Sequence, residues 1–238
     1  GIRDVFGRLA KRFDRPQWWD NYAFFCRESG QDEESNKAYC RCIELAPDHA
    51  RWVNDTGLIL LYHLDRDLDH AQQLFERAWE VRKTACDNPV VSNEDRDDKF
   101  LAYTDAMLNL AKLHGKRGEV DQARTIVDEL LTLSPGRSDA LALKEAMNRH
   151  AIEKNPSNSW TWYELGNALR DKGQTNEAID CYRAALTRDP AHAAAHNNLG
   201  QLLAGAGRIE EATGHYREAI RHEPDFADAH YNLGNALR

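Results

Sequence analysis

Three sets of side chains in this sequence have types and spacings that could do chemistry. Asp65, Asp67 and Asp69 alternate, and Glu76 stands eleven residues after Asp65, the order in which a calcium loop presents its oxygens. The position that needs glycine for the sharp turn of such a loop holds His70, and residues 71–82 have the pattern of a helix. Asp67 or Asp69 is therefore read as a helix N-cap, whose carboxylate accepts from free backbone N–H groups. His192 and His196 are four apart, a spacing that can bring two imidazoles to one metal from a single helix face. His230 stands 34 residues after His196, and a residue that recurs with the chain's own period is better explained by packing. Cys40 and Cys42 point to different sides of a helix, because residues i and i+2 do not face each other. Cys26 and Cys42 read as small buried groups. No Cys-x2-Cys pair, G-x-S-x-G, phosphate-cradling glycine loop or H-E-x-x-H is present. The expectation is a chain with no catalytic residues, no metal and no cofactor, and so not an enzyme.

Composition narrows the classes further. The 238 residues carry 31 Lys+Arg against 39 Asp+Glu, a formal charge of −8. Phosphate contacts need clustered cations, so nucleic acid is not an expected partner. Hydrophobic residues make up 42% and charged residues 29%, which suits a folded chain with a real core. No apolar run approaches the ~18 residues of a membrane span, and nothing at the N-terminus has the pattern of a secretion signal. Five cysteines, an odd count, point to reduced thiols and a cytoplasmic location. Residues 1–15 set Arg3, Arg8, Lys11, Arg12 and Arg15 opposite Ile2, Val5, Phe6, Leu9 and Phe13. Such a helix could dock on an anionic surface, but burial of its apolar face on the next helix is the expectation.

The elements that hold these residues follow from a repeat. Gly166, Gly200 and Gly234 are 34 residues apart, and so are Leu165, Leu199 and Leu233, and Leu169, Leu203 and Leu237. Ala178 and Ala212, Tyr182 and Tyr216, Ala185 and Ala219, and Pro156, Pro190 and Pro224 keep the same step. Trp162, Leu165, Gly166 and Leu169 share one helical face, and Ala178, Tyr182 and Ala185 share another. Lys172-Gly173 turns between the two helices, and Asp189-Pro190 ends the second. Gly166 and Ala178 let the two backbones approach closely.

The period and the sequence Trp162-x2-Leu165-Gly166-x2-Leu169, Ala178-x3-Tyr182, Pro190 resemble the tetratricopeptide repeat family. His196 and His230 depart from its pattern at the Trp position, and Leu stands for the first aromatic. The resemblance implies an all-α, right-handed superhelical solenoid of stacked antiparallel helix pairs. Residues 104–137 fit the same template through Leu110, Ala111, Gly118, Ala123, Val127, Leu130 and Pro135. Residues 16–49 fit it through Trp19, Tyr22, Ala23, Gly30, Ser35, Tyr39, Cys42 and Pro47. In residues 50–83, Val53, Thr56 and Gly57 are followed two residues late by Ala71, Phe75 and Ala78, so the turn near Leu64–Asp69 holds an insertion. Residues 86–98 interrupt the period as a polar, acidic loop. Residues 138–155 make one helix, with Ala140, Leu143, Met147 and Ala151 on one face, either a cap or a degenerate repeat. The expected division is a degenerate array over 1–155 and a regular one over 156–238, cut inside a further repeat. Ile2, Phe6 and Leu9 fall where a second helix places its packing residues, and no polar cap closes the other end. A fragment of a longer protein is expected, able to self-associate through the apolar face near Leu233 and Leu237.

In this family the first helices of the pairs line an inner groove. In the last three units the resemblance assigns to that groove Trp160, Tyr163, Glu164, Asn167, Asn197, Asn198, Gln201, Tyr231, Asn232 and Asn235. An amide both donates and accepts, so a row of them suits the backbone of an extended peptide, with the rings as apolar anchors. Some members hold a C-terminal carboxylate in a basic clamp. The matching slots here are Tyr163, Asn167, Asn198, Asp228 and Asn232, which lack the cations, so that clamp is not expected. The upstream groove, with Asn54, Asp55, Asp105, Asn109 and Lys112, is mixed, and Asn21 and Asn109 share the slot of Asn198. The expected function is a scaffold or adaptor that binds a protein or peptide segment in the concave groove. Two alternatives stand beside it: a recognition arm of a larger enzyme, and a self-assembly module.

Overall fold

The computed structural model describes residues 1–47, 49–64, 67–86 and 93–238, with side chains described throughout these except at 81–86, 93–99 and 102. The described residues are helical, with no strand among them. The chain divides into two compact units, Gly1–Leu130 and Leu131–Arg238.

The first unit runs α1 (Ile2–Phe13), α2 (Pro16–Glu28), α3 (Asp32–Leu45), α4 (Ala50–Leu58), α5 (Leu68–Cys86), α6 (Asn93–Arg117) and most of α7 (Val120–Leu133). The second holds α8 (Ser138–Lys154), α9 (Ser159–Asp171), α10 (Thr175–Arg188), α11 (Ala193–Gly205), α12 (Ile209–His222) and α13 (Ala227–Ala236). Within each unit consecutive helices pack as antiparallel pairs: α2 on α3 and α4 on α5, then α9 on α10 and α11 on α12.

One kind of turn follows four of the helices, α2, α6, α9 and α11. Gly30, Gly118, Gly173 and Gly207 have φ between 68° and 79°, where a side chain would be strained. The residue after each one returns a backbone N–H to a carbonyl in the last turn of the helix, as Gln174 does to Leu169 and Arg208 to Leu203, both at 2.9 Å. The second contact that fixes each pair is a ring seated on a helix backbone. A Cβ at Gly166 would lie 2.6 Å from the Tyr182 ring, and one at Gly200 would lie 2.6 Å from Tyr216. Tyr182 is fully buried and Tyr216 is 2% exposed, so the rings have nowhere to move. Ala178, Ala185, Ala212 and Ala219 are fully buried beside them.

The insertion between the helices of residues 50–83 begins earlier than the sequence suggests. After α4 the backbone widens into a π turn, Ile59–His63, which takes up an extra residue inside the helix. Phe75 still reaches Gly57, whose Cβ would lie 2.7 Å from it, so the ring contact is restored despite the two added residues. Asp67 precedes α5 and accepts from the His70 N–H at 3.3 Å, which settles the choice of N-cap. Asp65 lies outside the described residues. The expected loop over 86–98 is shorter: α5 runs to Cys86 and α6 starts at Asn93, leaving 87–92 outside the described residues.

The stripe that α1 buries also differs from expectation. Gly7 and Ala10 are covered, and Phe6 stacks on Phe25 with centroids 5.3 Å apart, while Ile2, Val5 and Phe13 are exposed. The Tyr22 ring crosses α1 at Gly7, so this helix packs through its small residues. In the second unit α8 lies against α9: Lys144 pairs with Glu164 at 3.2 Å, and Glu145 takes both Arg149 and Lys172. Among the described residues no helix is long and apolar enough to cross a membrane.

Candidate functional site

The residues that could do chemistry are used in packing. Cys26 and Cys42 are fully buried. Burial pushes the Cys42 thiol up to about 12 and Cys181 to about 11, so neither is a thiolate at neutral pH. Among the described residues no group of three or more His, Cys, Asp or Glu side chains is placed to hold a metal ion.

The two histidines at the Trp position have a structural reason. The Trp162 indole donates to the Pro156 carbonyl at 3.0 Å, His196 Nε2 meets the Pro190 carbonyl at 3.2 Å and His230 Nε2 the Pro224 carbonyl at 2.8 Å. The position asks for a flat ring with an N–H on its edge, and imidazole supplies one as indole does. With its Nε2 proton on Pro190, His196 leaves Nδ1 as an acceptor, and His215 Nδ1 on α12 lies 3.0 Å from it. His192 caps α11 by accepting from the Ala195 N–H at 3.4 Å. Its Nε2 is buried without a hydrogen-bond partner.

The sequence-assigned groove residues lie on α9, α11 and α13, the first helices of successive pairs. The amides among them bond mainly to one another. Asn198 donates to the Tyr163 hydroxyl at 3.4 Å and to Asn167 Oδ1 at 3.0 Å, joining α11 to α9. Asn232 donates to Asn197 Oδ1 at 2.9 Å, joining α13 to α11. In the first unit Asn109 donates to Asn54 Oδ1 at 3.0 Å, joining α6 to α4. All three cases follow one rule: the amide in the slot of Asn198 reaches the residue one slot earlier on the preceding first helix. Tyr182 adds a bond to Asn167 Oδ1 at 2.8 Å, and burial holds its hydroxyl protonated far above neutral pH.

This arrangement corrects part of the groove assignment. Asn197 is 3% exposed, so it serves the packing between helices and is not open to a ligand. Asn109 and Asn54 are buried in the same way, and Asn21, in the same slot, bonds its own helix at Gln17. What the second unit leaves open is mostly aromatic. Trp160 is 55% exposed and Tyr231 71%, and Gln201 and Asn235 are exposed. Trp160 lies 5.3 Å from the half-buried Tyr163, and both rings contact His192, the indole stacked within 5° of parallel. The first unit's inner helices carry charge instead. Asp20 pairs with Arg51 at 2.5 Å, and burial pushes the Asp55 carboxyl up to about 6 against the pull of Arg51 and Arg27. The signal missed in the sequence is the spacing of 35 residues, one period plus one, at which Asn198 and Asn232 find their partners.

Family models described as "TPR repeat" match residues 166–207 and 205–237, and models described as "Tetratricopeptide repeat" match 18–49, 105–129 and 148–180. Together they span more than half of the chain. Among solved structures, YrrB, described as a TPR protein with an unusual peptide-binding site, is 18% identical with a TM-score of 0.38, over 96% of this chain and 97% of that one. The TPR2AB domain of yeast Sti1, solved as a complex with pHSP90, is 16% identical with a TM-score of 0.47, over 97% of this chain and 84% of that one. MamA from Desulfovibrio magneticus RS-1 is 14% identical with a TM-score of 0.41, over 90% of this chain and 98% of that one. No curated protein matches the chain.

Proposed function

Because the chain belongs to the tetratricopeptide repeat family, we propose that it is a protein-interaction scaffold whose second unit receives an extended segment of a partner on α9, α11 and α13. The observation that carries this reading is the placement of exposed rings. Trp160 and Tyr231, 55% and 71% exposed, stand on the first and last of three inner helices tied together by amides. Large rings left in water on a rigid support are the usual anchors of an interface. The amides hold the helices in register, and the rings, with Gln201 and Asn235, meet the partner. Asn167, Asn198 and Asn232 act on the ligand through the ring positions they fix and through whatever hydrogen-bonding capacity the clasps leave.

Peptides selected from a random library on the whole chain test this reading. Trp160→Ala and Tyr231→Ala are each expected to weaken the selected peptides about tenfold, the effect of losing an interface anchor. Tyr231 is 71% exposed, so Tyr231→Ala should leave thermal stability in place, while Trp160→Ala gives up the ring contacts to Tyr163 and His192 and should cost ~1 kcal/mol. Full affinity in both variants would contradict the reading.

A further inference from the structure

We propose that α1 rests on the surface of an anionic lipid bilayer, with its apolar stripe at the acyl boundary and its cations among the headgroups. This surface belongs to the first unit and is independent of the partner site on the second. Ile2, Val5, Leu9 and Phe13 follow one another at steps of three or four residues and so form one stripe along the helix. The stripe is not the side on which α1 meets the protein. That contact is made through Gly7 and Ala10, both buried, with the Tyr22 ring across Gly7. Ile2 is 62% exposed, Val5 43% and Phe13 49%, and Leu9 is half-buried. Ring contacts carry the patch onto α2, from Phe13 through Trp18, Phe6 and Phe25 to the exposed Phe24. A contiguous exposed apolar patch of this kind marks an interaction surface.

Charge selects the occupant. Residues 1–15 hold five of the chain's 31 cations and only two of its 39 acids. Both acids are engaged, Asp4 with Arg3 and Asp14 with Arg41 and the Trp19 indole. Arg8, Lys11, Arg12 and Arg15 are exposed and form no ion pair with a described residue. Glu34 is close enough to feel Lys11, but its carboxylate is paired with Lys37 at 2.9 Å. Arg8 is three residues from Val5 and Arg12 three from Leu9, so these cations line the edge of the stripe. The guanidinium groups of Arg12 and Arg27 lie over the Phe13 and Phe24 rings, at 5.3 and 5.8 Å, so a cation accompanies each exposed ring. Apolar side chains bordered by arginine and lysine, on a chain that is otherwise acidic, match a helix lying at an anionic lipid surface.

Shape argues against another helix as the cover. By register Ile2, Phe6 and Leu9 stand where a second helix places a small residue, a ring and a small residue. The two small residues are alanines in α5, α10 and α12, and Ser35 and Cys42 in α3, all fully buried. In α7 the larger Leu130 enters, but the ring is then reduced to Val127. α1 has large side chains at both positions, and its ring is already stacked on Phe25. A first helix laid there would be held off by Ile2 and Leu9 and would receive no ring. A bilayer surface is fluid and accepts side chains without matching their shape.

Flotation of the whole chain with vesicles tests this, using phosphatidylcholine alone and phosphatidylcholine mixed with phosphatidylserine. Binding is expected to the mixed vesicles and not to the neutral ones. Ile2→Gln with Val5→Gln removes apolar area, and Arg8→Gln with Arg12→Gln removes charge. All four side chains are exposed and glutamine is a good helix former, so both double variants should stay folded, which circular dichroism checks. Each double variant should weaken binding to the mixed vesicles about thirtyfold. No binding to the mixed vesicles overturns the inference, and so does equal binding to the two kinds. Binding that ignores the Ile2 and Val5 pair overturns it as well, because charge alone would then be at work. Light scattering distinguishes a second copy as the cover: self-association that the Ile2 and Val5 pair abolishes, in a chain that leaves vesicles alone, also overturns it. Tyr231→Ala should leave vesicle binding unchanged, so failure here and failure of the partner site on the second unit are told apart.

Discussion

Gly200→Ala probes the contact that sets the repeat. The added Cβ would lie 2.6, 2.9 and 3.1 Å from three atoms of the Tyr216 ring. Carbon atoms in contact prefer about 3.5–4.0 Å, so the ring or a helix must shift by about 1 Å. Such overpacking costs ~1–3 kcal/mol, while replacing a helical glycine by alanine returns ~1 kcal/mol. Gly214→Ala separates the two terms. Gly214 lies in α12 of the same hairpin, is exposed, and its Cβ would meet nothing within 4 Å. Propensity is common to both substitutions and cancels, so Gly200→Ala should be the less stable by ~1–3 kcal/mol. The lower half of that range is expected, because Ala23 holds the equivalent position above the buried Tyr39 and shows that the pair can adjust. Urea unfolding followed by far-ultraviolet circular dichroism reads the difference. Equal midpoints for the two variants would mean that the tyrosine ring does not sit on Gly200, and the packing argument would be wrong.

Other consequences are as specific. Burial lowers the pKa of both histidines: at His196 it outweighs the Pro190 carbonyl and Glu218, with help from His222 and Arg221, and at His215 it acts with His196 and Arg183 against Glu211 and Glu218. The unfolded chain then takes up protons first, so the pair's contribution is whole above about pH 6.5 and declines as the pH drops below it. The double change His196→Trp with His215→Cys copies Trp162 and Cys181 of the preceding repeat and should flatten this part of the dependence, which melting curves between pH 7.5 and 5.5 would show; an unchanged slope would count against the pair. Asn198→Ala removes two inter-helix bonds and leaves Asn167 Oδ1 with Tyr182 alone, so it should lower stability by ~1–3 kcal/mol with no ligand present; an unaltered urea midpoint would show that the clasp is idle. Cys26, Cys42 and Cys181 should resist alkylation at neutral pH until the chain unfolds, as site-resolved mass spectrometry would report.

The helix pairs were legible in the sequence because their packing residues repeat at a fixed step. Gly166, Gly200, Tyr182 and Tyr216 announce both the helices and the ring-on-backbone contact, since only a small residue opposite a large one fits there. Three features escaped for physical reasons. The π turn at Ile59–His63 depends on where a helix absorbs an inserted residue, which the positions of Gly57 and Phe75 do not reveal. Gly7 rather than Ile2 marks the buried stripe of α1, because the Tyr22 ring crosses that helix and excludes larger side chains. The amides looked like an open row, since each lies on a first helix at a groove slot. Asn198 and Asn232 reach Tyr163 and Asn197 one period plus one residue away, on the preceding first helix, and that offset becomes visible only when helices are stacked. Register alone assigned Trp160 and Tyr231 to the groove, and their exposure could be read only from the packing around them.

The central claim is that α9, α11 and α13 present the surface that a partner uses. Backbone amide chemical-shift mapping with a peptide selected on this chain tests it most directly. The account predicts shifts concentrated around Trp160, Tyr163, Asn198, Gln201, Tyr231 and Asn235, with α10 and α12 nearly silent. Shifts confined to α10 and α12, or to the first unit alone, would contradict it.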